Sequence, residues 1–299
     1  MPEKPSHVRI KNDRDIRGKS VSVQCGKGYG MDGFTLRLIA MLTMLLDHIG
    51  WNFLRTPMHL TWIGRIAFPL YAFLLAEGFL IIHNDRSRLV KHLTVMLILA
   101  VVSEPGYDLM DSGLDIANYL SSQSNIITLL IGYLGMLATE ALIPSDTPDA
   151  DRIPRIRSAA LICAYVLAGF ANFMLKGNFN IVGPWLVIAF YWYIRVSRRD
   201  ARNGKKWSWR RRFLVLLLFF ACYLPVYFWD RSGFGDAARW WEEVVNYAPW
   251  IAGHAIAALI ISLYNGELGF HEKWFSRLYT SFYPVHLYII GVLSILIGK

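Results

Sequence analysis

From Leu36 to the end of the chain, apolar blocks of about twenty residues alternate with short charged stretches, the length a helix needs to cross a bilayer. A buried helix of a soluble domain seldom needs that length. Composition agrees, with 55% hydrophobic and 18% charged residues among 299. The pattern predicts an all-α, polytopic transmembrane helical bundle of about nine spans. They cover 35–54, 60–82, 92–109, 124–142, 158–175, 179–194, 213–229, 249–265 and 279–297. The sixth is short, and Gly183-Pro184 can break or tilt it, which leaves eight to ten crossings open.

Nine crossings put alternate loops on opposite sides, and the basic residues sort accordingly. One side takes 25 of the 31 Lys and Arg, nine of them between residues 195 and 212. That bias places the amino terminus in the cytoplasm and the carboxyl terminus outside. Residues 1–33 form a polar, basic cytoplasmic leader without the apolar core of a removable signal, and 34–299 form a single transmembrane domain. The net charge of +9 is therefore mostly an orientation signal that also suits anionic headgroups. No base-reading scaffold accompanies it, so nucleic acid is not an expected partner. Cys25, Cys163 and Cys222 follow no disulfide or metal spacing, and no metal site is expected.

Several polar residues fall where lipid would penalise them. Asp47 and His48 lie in "LLDHIGWNFL", in the outer half of the first span, where a charge facing lipid costs about 2.5–3.5 kcal/mol. They must face protein, a wet recess or the headgroups. His48 shares a helical stripe with Met44 and Asn52, whereas Asp47 shares one with Thr43. Arg65 opens the second span, Pro69 should bend it, and the guanidinium needs a carboxylate such as Asp47 or Glu104, or a route to the interface. Glu77, followed by Gly78, sits near the cytoplasmic end of that span as a network member. "VVSEPGYDLM" brings Glu104 and Asp108 to the end of the third span, with Pro105 in the turn. Asn125 starts the fourth span, where a helix cap is the plainer reading than a ligand. His254 matches His48 in depth, and two histidines at one depth favour a polar cavity as readily as packing. On the cytoplasmic side Tyr264 and Asn265 occur in "YNGELG", while Tyr279, Tyr283 and His286 share one stripe of the last span. That stripe reads equally as a ligand entrance or an aromatic anchor.

Two classes accommodate this inventory. One is an enzyme with a histidine general base oriented by a carboxylate; the other is a proton-coupled small-molecule transporter. No inverted repeat or pair of broken helices is evident, which favours the enzyme.

"LRLIAMLTMLLDHIG" at 36–50, "IGRIAFPLYAFLLAEGF" at 63–79, "SEPGYDL" at 103–109, "YNGELG" at 264–269 and "FYPVHLYII" at 282–290 together resemble the TraX family, from about residue 34 onward. The chain has a glycine where the third motif is expected to carry a second proline. The resemblance implies a membrane acyltransferase related to pilin acetylases, with acetyl-CoA (acyl-CoA) as donor and a pilin-like protein, glycan or lipid as acceptor. His48 is then expected as the base, His286 as the less favoured choice, with Asp47, Arg65 and Glu104 beside it. Tyr264, Asn265, Tyr283 and His286 are expected on the donor side, and Glu77, Asp108, Asn125 and His254 as network residues. Asn265, Tyr264 and Arg65 are candidate donors to an oxyanion. One difficulty stands in this scheme, because the span assignment sets His48 and His286 toward opposite faces.

Overall fold

Two side-chain caps start the helices that carry most of the polar residues. Asp32 accepts from the Thr35 amide at 2.8 Å and opens α1 (Gly33–Phe53). Asp85 accepts from the Arg88 amide at 3.1 Å and opens α4 (Arg86–Ser112). The structure is a computed structural model that describes residues 30–54, 58–119, 121–144, 155–232, 248–270 and 272–297. Most of the basic leader and of the 143–157 linker lies outside them. The remaining helices are α2 (Met58–Gly64), α3 (Ala67–Ile82), α5 (Asn125–Leu142), α6 (Arg155–Met174), α7 (Val182–Arg202), α8 (Trp209–Ser232), α9 (Ala248–Ser262) and α10 (Lys273–Leu296). Among the described residues there is no strand, only two isolated bridges.

The all-helical, membrane-type bundle agrees with expectation, but the count of spans is narrower. Among the described residues, six helical stretches are long and apolar enough to cross a membrane, and α9 carries a shorter apolar run. α7 and α8 fall outside that group; the basic residues at the end of α7 and the start of α8 lower their hydropathy. The stretch Trp62–Ile82 is 67% buried whereas α4 and α6 are 22% buried, so α3 is central and the other two are peripheral. Val101, Ile162 and Val166 point outward with more than half their surface open. Lipid tails suit such faces, whereas water would not.

Prolines act differently from the sequence reading. The second span is interrupted at Arg65 and Ile66, where three-residue turns replace the ladder. The cause is still Pro69, which has no amide to give the Arg65 carbonyl one turn earlier. Pro105 lies inside α4, which runs on to Ser112, so Glu104 is intrahelical and Asp108 is buried rather than part of an exposed loop. Pro184 is the third residue of α7, where an amide has no intrahelical partner to lose, and Gly183-Pro184 starts the helix instead of breaking it.

Contacts between helix ends define two faces of the bundle. The "YNGELG" segment bolts one of them. Tyr264 Oη donates to Glu77 at 2.6 Å, Arg212 donates to the Tyr264 carbonyl at 2.7 Å, and the Asn265 amide donates to the Met31 carbonyl at 2.9 Å. Gly266 and Gly269 take φ of 84° and 64°, conformations that make this turn a glycine segment. Because the ends of α3 and α7 and the starts of α1, α8 and α10 meet here, we call this the basic face. At the opposite face the start of α5 meets the loop after α6, through the Gln123 amide and the Lys176 carbonyl at 2.9 Å.

Close helix approach is bought at glycines. A Cβ on Gly64 would sit 2.1 Å from Asp47 Cγ, and one on Gly50 would sit 2.6 Å from Leu60 Cβ. Gly78, expected to allow such an approach, has nothing within 4 Å and faces a cavity instead. Gly64→Ala should therefore lower the thermal midpoint in detergent by an amount equivalent to about 1–3 kcal/mol. Gly78→Ala should leave that midpoint unchanged or raise it slightly.

Candidate functional site

His48 and His286 are in contact. Their rings stack at 5.0 Å with an interplanar angle of 11°, and His48 Nδ1 lies 2.8 Å from His286 Nε2. Both are buried. α1 and α10 start at the same face, and each histidine follows about fifteen residues of helix, so their depths match. The span assignment had set the two apart because it began the last helix at residue 279. α10 begins at Lys273, which carries His286 deeper into the bundle.

The hydrogen-bond partners fix the order of the protons. His286 Nδ1 is 2.7 Å from the Phe282 carbonyl, which can only accept, so this nitrogen carries the hydrogen. With both rings uncharged, His286 Nε2 holds a lone pair and His48 Nδ1 donates to it. His48 Nε2 is then left with its own lone pair. α1 fixes the ring from below through its buried stripe, Met44, His48 and Asn52, with Asn52 Nδ2 donating to the His48 carbonyl at 3.1 Å.

Two cavities lie near these residues; His48 lines one of them and His286 lines neither. One, of about 490 Å³, opens at the basic face; Arg37, Arg88 and Lys91 stand among its lining residues, and Tyr71, Tyr279 and Tyr283 line its wall. The other, of about 610 Å³, opens at the opposite face and is lined by Asp47, His48, Arg65 and Asp111, with the loop 176–180 on its far side. Met44, Phe68 and Asn125 line both, so these three side chains are the partition between them. Phe68 is braced by Phe179, whose ring stacks on it at 4.0 Å.

The loop 176–180 is a feature the sequence reading missed. Lys176, Phe179 and Asn180 all have positive φ, at 55°, 62° and 45°, unusual for residues with side chains. Buried Asn172 and Thr128 hold it there. Thr128 Oγ1 donates to the Asn178 carbonyl at 2.8 Å, and Asn172 Nδ2 donates to the Asn178 and Asn180 carbonyls. The signal available in the sequence was the short connection between the fifth and sixth spans in "NFMLKGNFN", whose last asparagine, Asn180, is a residue type that suits left-handed backbone.

The other expected residues distribute around this centre. Arg65 Nη2 is 3.9 Å from Asp47 Oδ1, each side chain 19% exposed, so the guanidinium has the carboxylate proposed for it. Arg65 also lies over the Phe179 ring at 5.9 Å. Glu104 accepts from the Ser124 amide at 3.0 Å and thereby anchors the start of α5. Tyr283 Oη accepts from the Asn125 amide at 3.1 Å, and its ring meets His286 edge-on at 5.5 Å. Glu77, Tyr264 and Asn265 belong to the bolt at the basic face and line neither cavity; Asn265 Oδ1 accepts from the Glu267 amide at 2.8 Å. Asp108 is buried outside both cavities. His254 packs against Phe220 at 5.3 Å and Tyr223 at 6.0 Å, away from His48's cavity. Among the described residues no group of three or more His, Cys, Asp or Glu is placed to hold a metal ion.

Comparison with known proteins follows the same boundaries. A 114-residue stretch is 31% identical to the probable fimbrial assembly protein FimC, serogroup H1, of Dichelobacter nodosus, covering 35% of this chain. The matched part spans 45% of that relative's length. No solved structure matches. The model of the family described as TraX protein matches residues 32–294, nearly the whole of the described bundle. The chain belongs to the TraX family, and its apolar, membrane-length helices make it a multi-pass bacterial membrane protein.

Proposed function

We propose that this protein transfers an acetyl or related acyl group from acyl-CoA, held in the cavity of the basic face, to an amine or hydroxyl acceptor in the opposite cavity. The observation that carries this reading is His48, held at Nδ1 by His286 and lining the second cavity. Nine crossings with the basic face in the cytoplasm put the donor where acyl-CoA is made. Arg37, Arg88 and Lys91 supply positive charge for the nucleotide phosphates, and the tyrosine-lined depth suits a pantetheine arm. Residues 34–299 act as one catalytic unit.

Each side chain then has a distinct task. His48 Nε2 takes the proton of the acceptor as it attacks the thioester carbon. His286 fixes the His48 tautomer and ring orientation, the part a carboxylate plays in a serine-hydrolase triad. Asp47 and Arg65 pair across the rim and leave a nearly neutral, hydrated cavity in which a polar acceptor can sit. The fimbrial assembly relative makes a pilin-like protein one acceptor to test, beside glycan and lipid. Two cavities separated by a thin partition also suit the transporter reading, in which the partition opens alternately. Ion-dependent solute uptake into liposomes without acyl transfer would select it.

The test uses purified protein in nanodiscs with labelled acetyl-CoA and a panel of amine and hydroxyl acceptors, read as acyl transfer and thiol release. His48→Ala should lose about 10²–10⁴-fold in kcat while acetyl-CoA binding persists. His286→Ala should lose less, and the double variant should fall no further than His48→Ala, since the two act as a unit. Transfer undiminished in His48→Ala would remove the proposed base. A separate expectation concerns the mouth. Arg88→Glu with Lys91→Glu should raise KM for acetyl-CoA about tenfold or more at low salt, an effect that shrinks as ionic strength rises, with kcat little changed.

A further inference from the structure

An acyl transfer at this site needs a donor for the carbonyl oxygen, and none of the three residues expected for that role is suitably placed. Tyr264 and Asn265 line neither cavity, and Arg65 lines only the one opposite the basic face, paired with Asp47. The partition offers another group. Of its three side chains, Met44 and Phe68 cannot hydrogen-bond a carbonyl, whereas Asn125 can.

We propose that Asn125 is a catalytic residue whose side-chain N–H donates to the thioester oxygen as it becomes an oxyanion, an inference that rests on the acyl-transfer reading above. Among the described residues the Asn125 amide makes no side-chain hydrogen bond, and its Oδ1 is buried without a partner. The side-chain N–H of Asn125, uncommitted to any of these residues and carried by a side chain that lines both cavities, is therefore free to donate. Its backbone is, by contrast, held firmly. The Asn125 amide is fixed by Tyr283 Oη at 3.1 Å, and the preceding amide, that of Ser124, by Glu104 at 3.0 Å. Tyr283 touches His286, which touches His48, so α10 sets the donor and the base relative to one another. This gives Glu104 and Tyr283 positioning roles.

In the step, the acceptor's nitrogen or oxygen forms a bond to the acetyl carbon and loses its proton to His48 Nε2. The carbonyl π electrons move onto the oxygen, where Asn125 donates. Collapse of the tetrahedral intermediate reforms the carbonyl and breaks the carbon–sulfur bond. The coenzyme A thiolate leaves and takes the proton back from the imidazolium. Acetylated acceptor and free thiol are the only products.

The full-length protein in nanodiscs, with acetyl-CoA as donor and a short peptide bearing a free amino terminus as acceptor, provides the test. Asn125→Leu, close in shape and without a donor, should lower kcat about 10²–10³-fold, the range found for loss of one oxyanion donor. KM for acetyl-CoA should change less than about threefold on the same grounds, because the ground-state carbonyl is weakly bound. S-ethyl-CoA, which has no carbonyl oxygen, should bind the wild type and Asn125→Leu equally, a result that a collapsed site would not give. If Asn125→Leu does not fold, the near-isosteric Asn125→Asp decides, with the same loss expected. A kcat within about twofold of wild type in the folded variant, while His48→Ala is inactive, overturns the role of Asn125 and leaves the transfer reading standing. Wild-type protein that transfers nothing to this peptide or to any acceptor in the wider panel overturns both.

Discussion

The contact between His48 and His286 is the interaction on which the site depends. Two imidazoles stacked 5.0 Å apart inside a helical bundle are ordered only if each nitrogen has a defined partner. The Phe282 carbonyl supplies that definition, because it can accept and never donate. One backbone oxygen on α10 thus determines which nitrogen of the α1 histidine is left without a partner in the pair. A helix that slid by one residue would remove this order, so the packing of α1 against α10 belongs to the chemistry as much as to the fold.

Several features far from the pair serve to hold that packing. Asp32 caps α1 beside the "YNGELG" turn; the Gly33 amide of α1 donates to the Glu267 carbonyl at 2.7 Å, and the Asn265 amide of the turn donates to the Met31 carbonyl at 2.9 Å. Tyr264 joins the same turn to Glu77 on α3. At the other face Gly64 lets the α2 end close on Asp47, and Arg65 follows where Pro69 has broken the ladder. These are separate devices with one result: α1 and the stretch that ends in α3 are held at both ends, while the middle keeps a cavity on each side of a three-residue wall.

Much of this was legible in the sequence, and the failures have physical causes. Apolar block length gave the membrane-type bundle, and the basic count separated its two faces. The pairing of Asp47 with Arg65 followed from matching depth on neighbouring spans, and the single stripe of Tyr279, Tyr283 and His286 from helical spacing. The pairing of His48 with His286 did not, because the last helix extends six residues earlier than its apolar run, through Lys273, Trp274 and Ser276. A hydropathy pattern cannot see a helix that begins in the headgroup zone. Matching His48 with His254 failed for a related reason: equal depth does not imply a shared wall, and α9 turns that histidine toward α8. The strained loop 176–180 is specified by buried Asn172 and Thr128, contacts that no linear pattern reveals.

The central claim is that donor and acceptor meet at the partition from opposite sides of the membrane. Proteoliposomes with the protein in one orientation test it most directly, with acetyl-CoA sealed on a chosen side and a membrane-impermeant acceptor on the other. Acetylated acceptor should appear across the bilayer, with free thiol retained beside the donor, only when acetyl-CoA faces the basic end. Transfer that requires both molecules on the same side would contradict it.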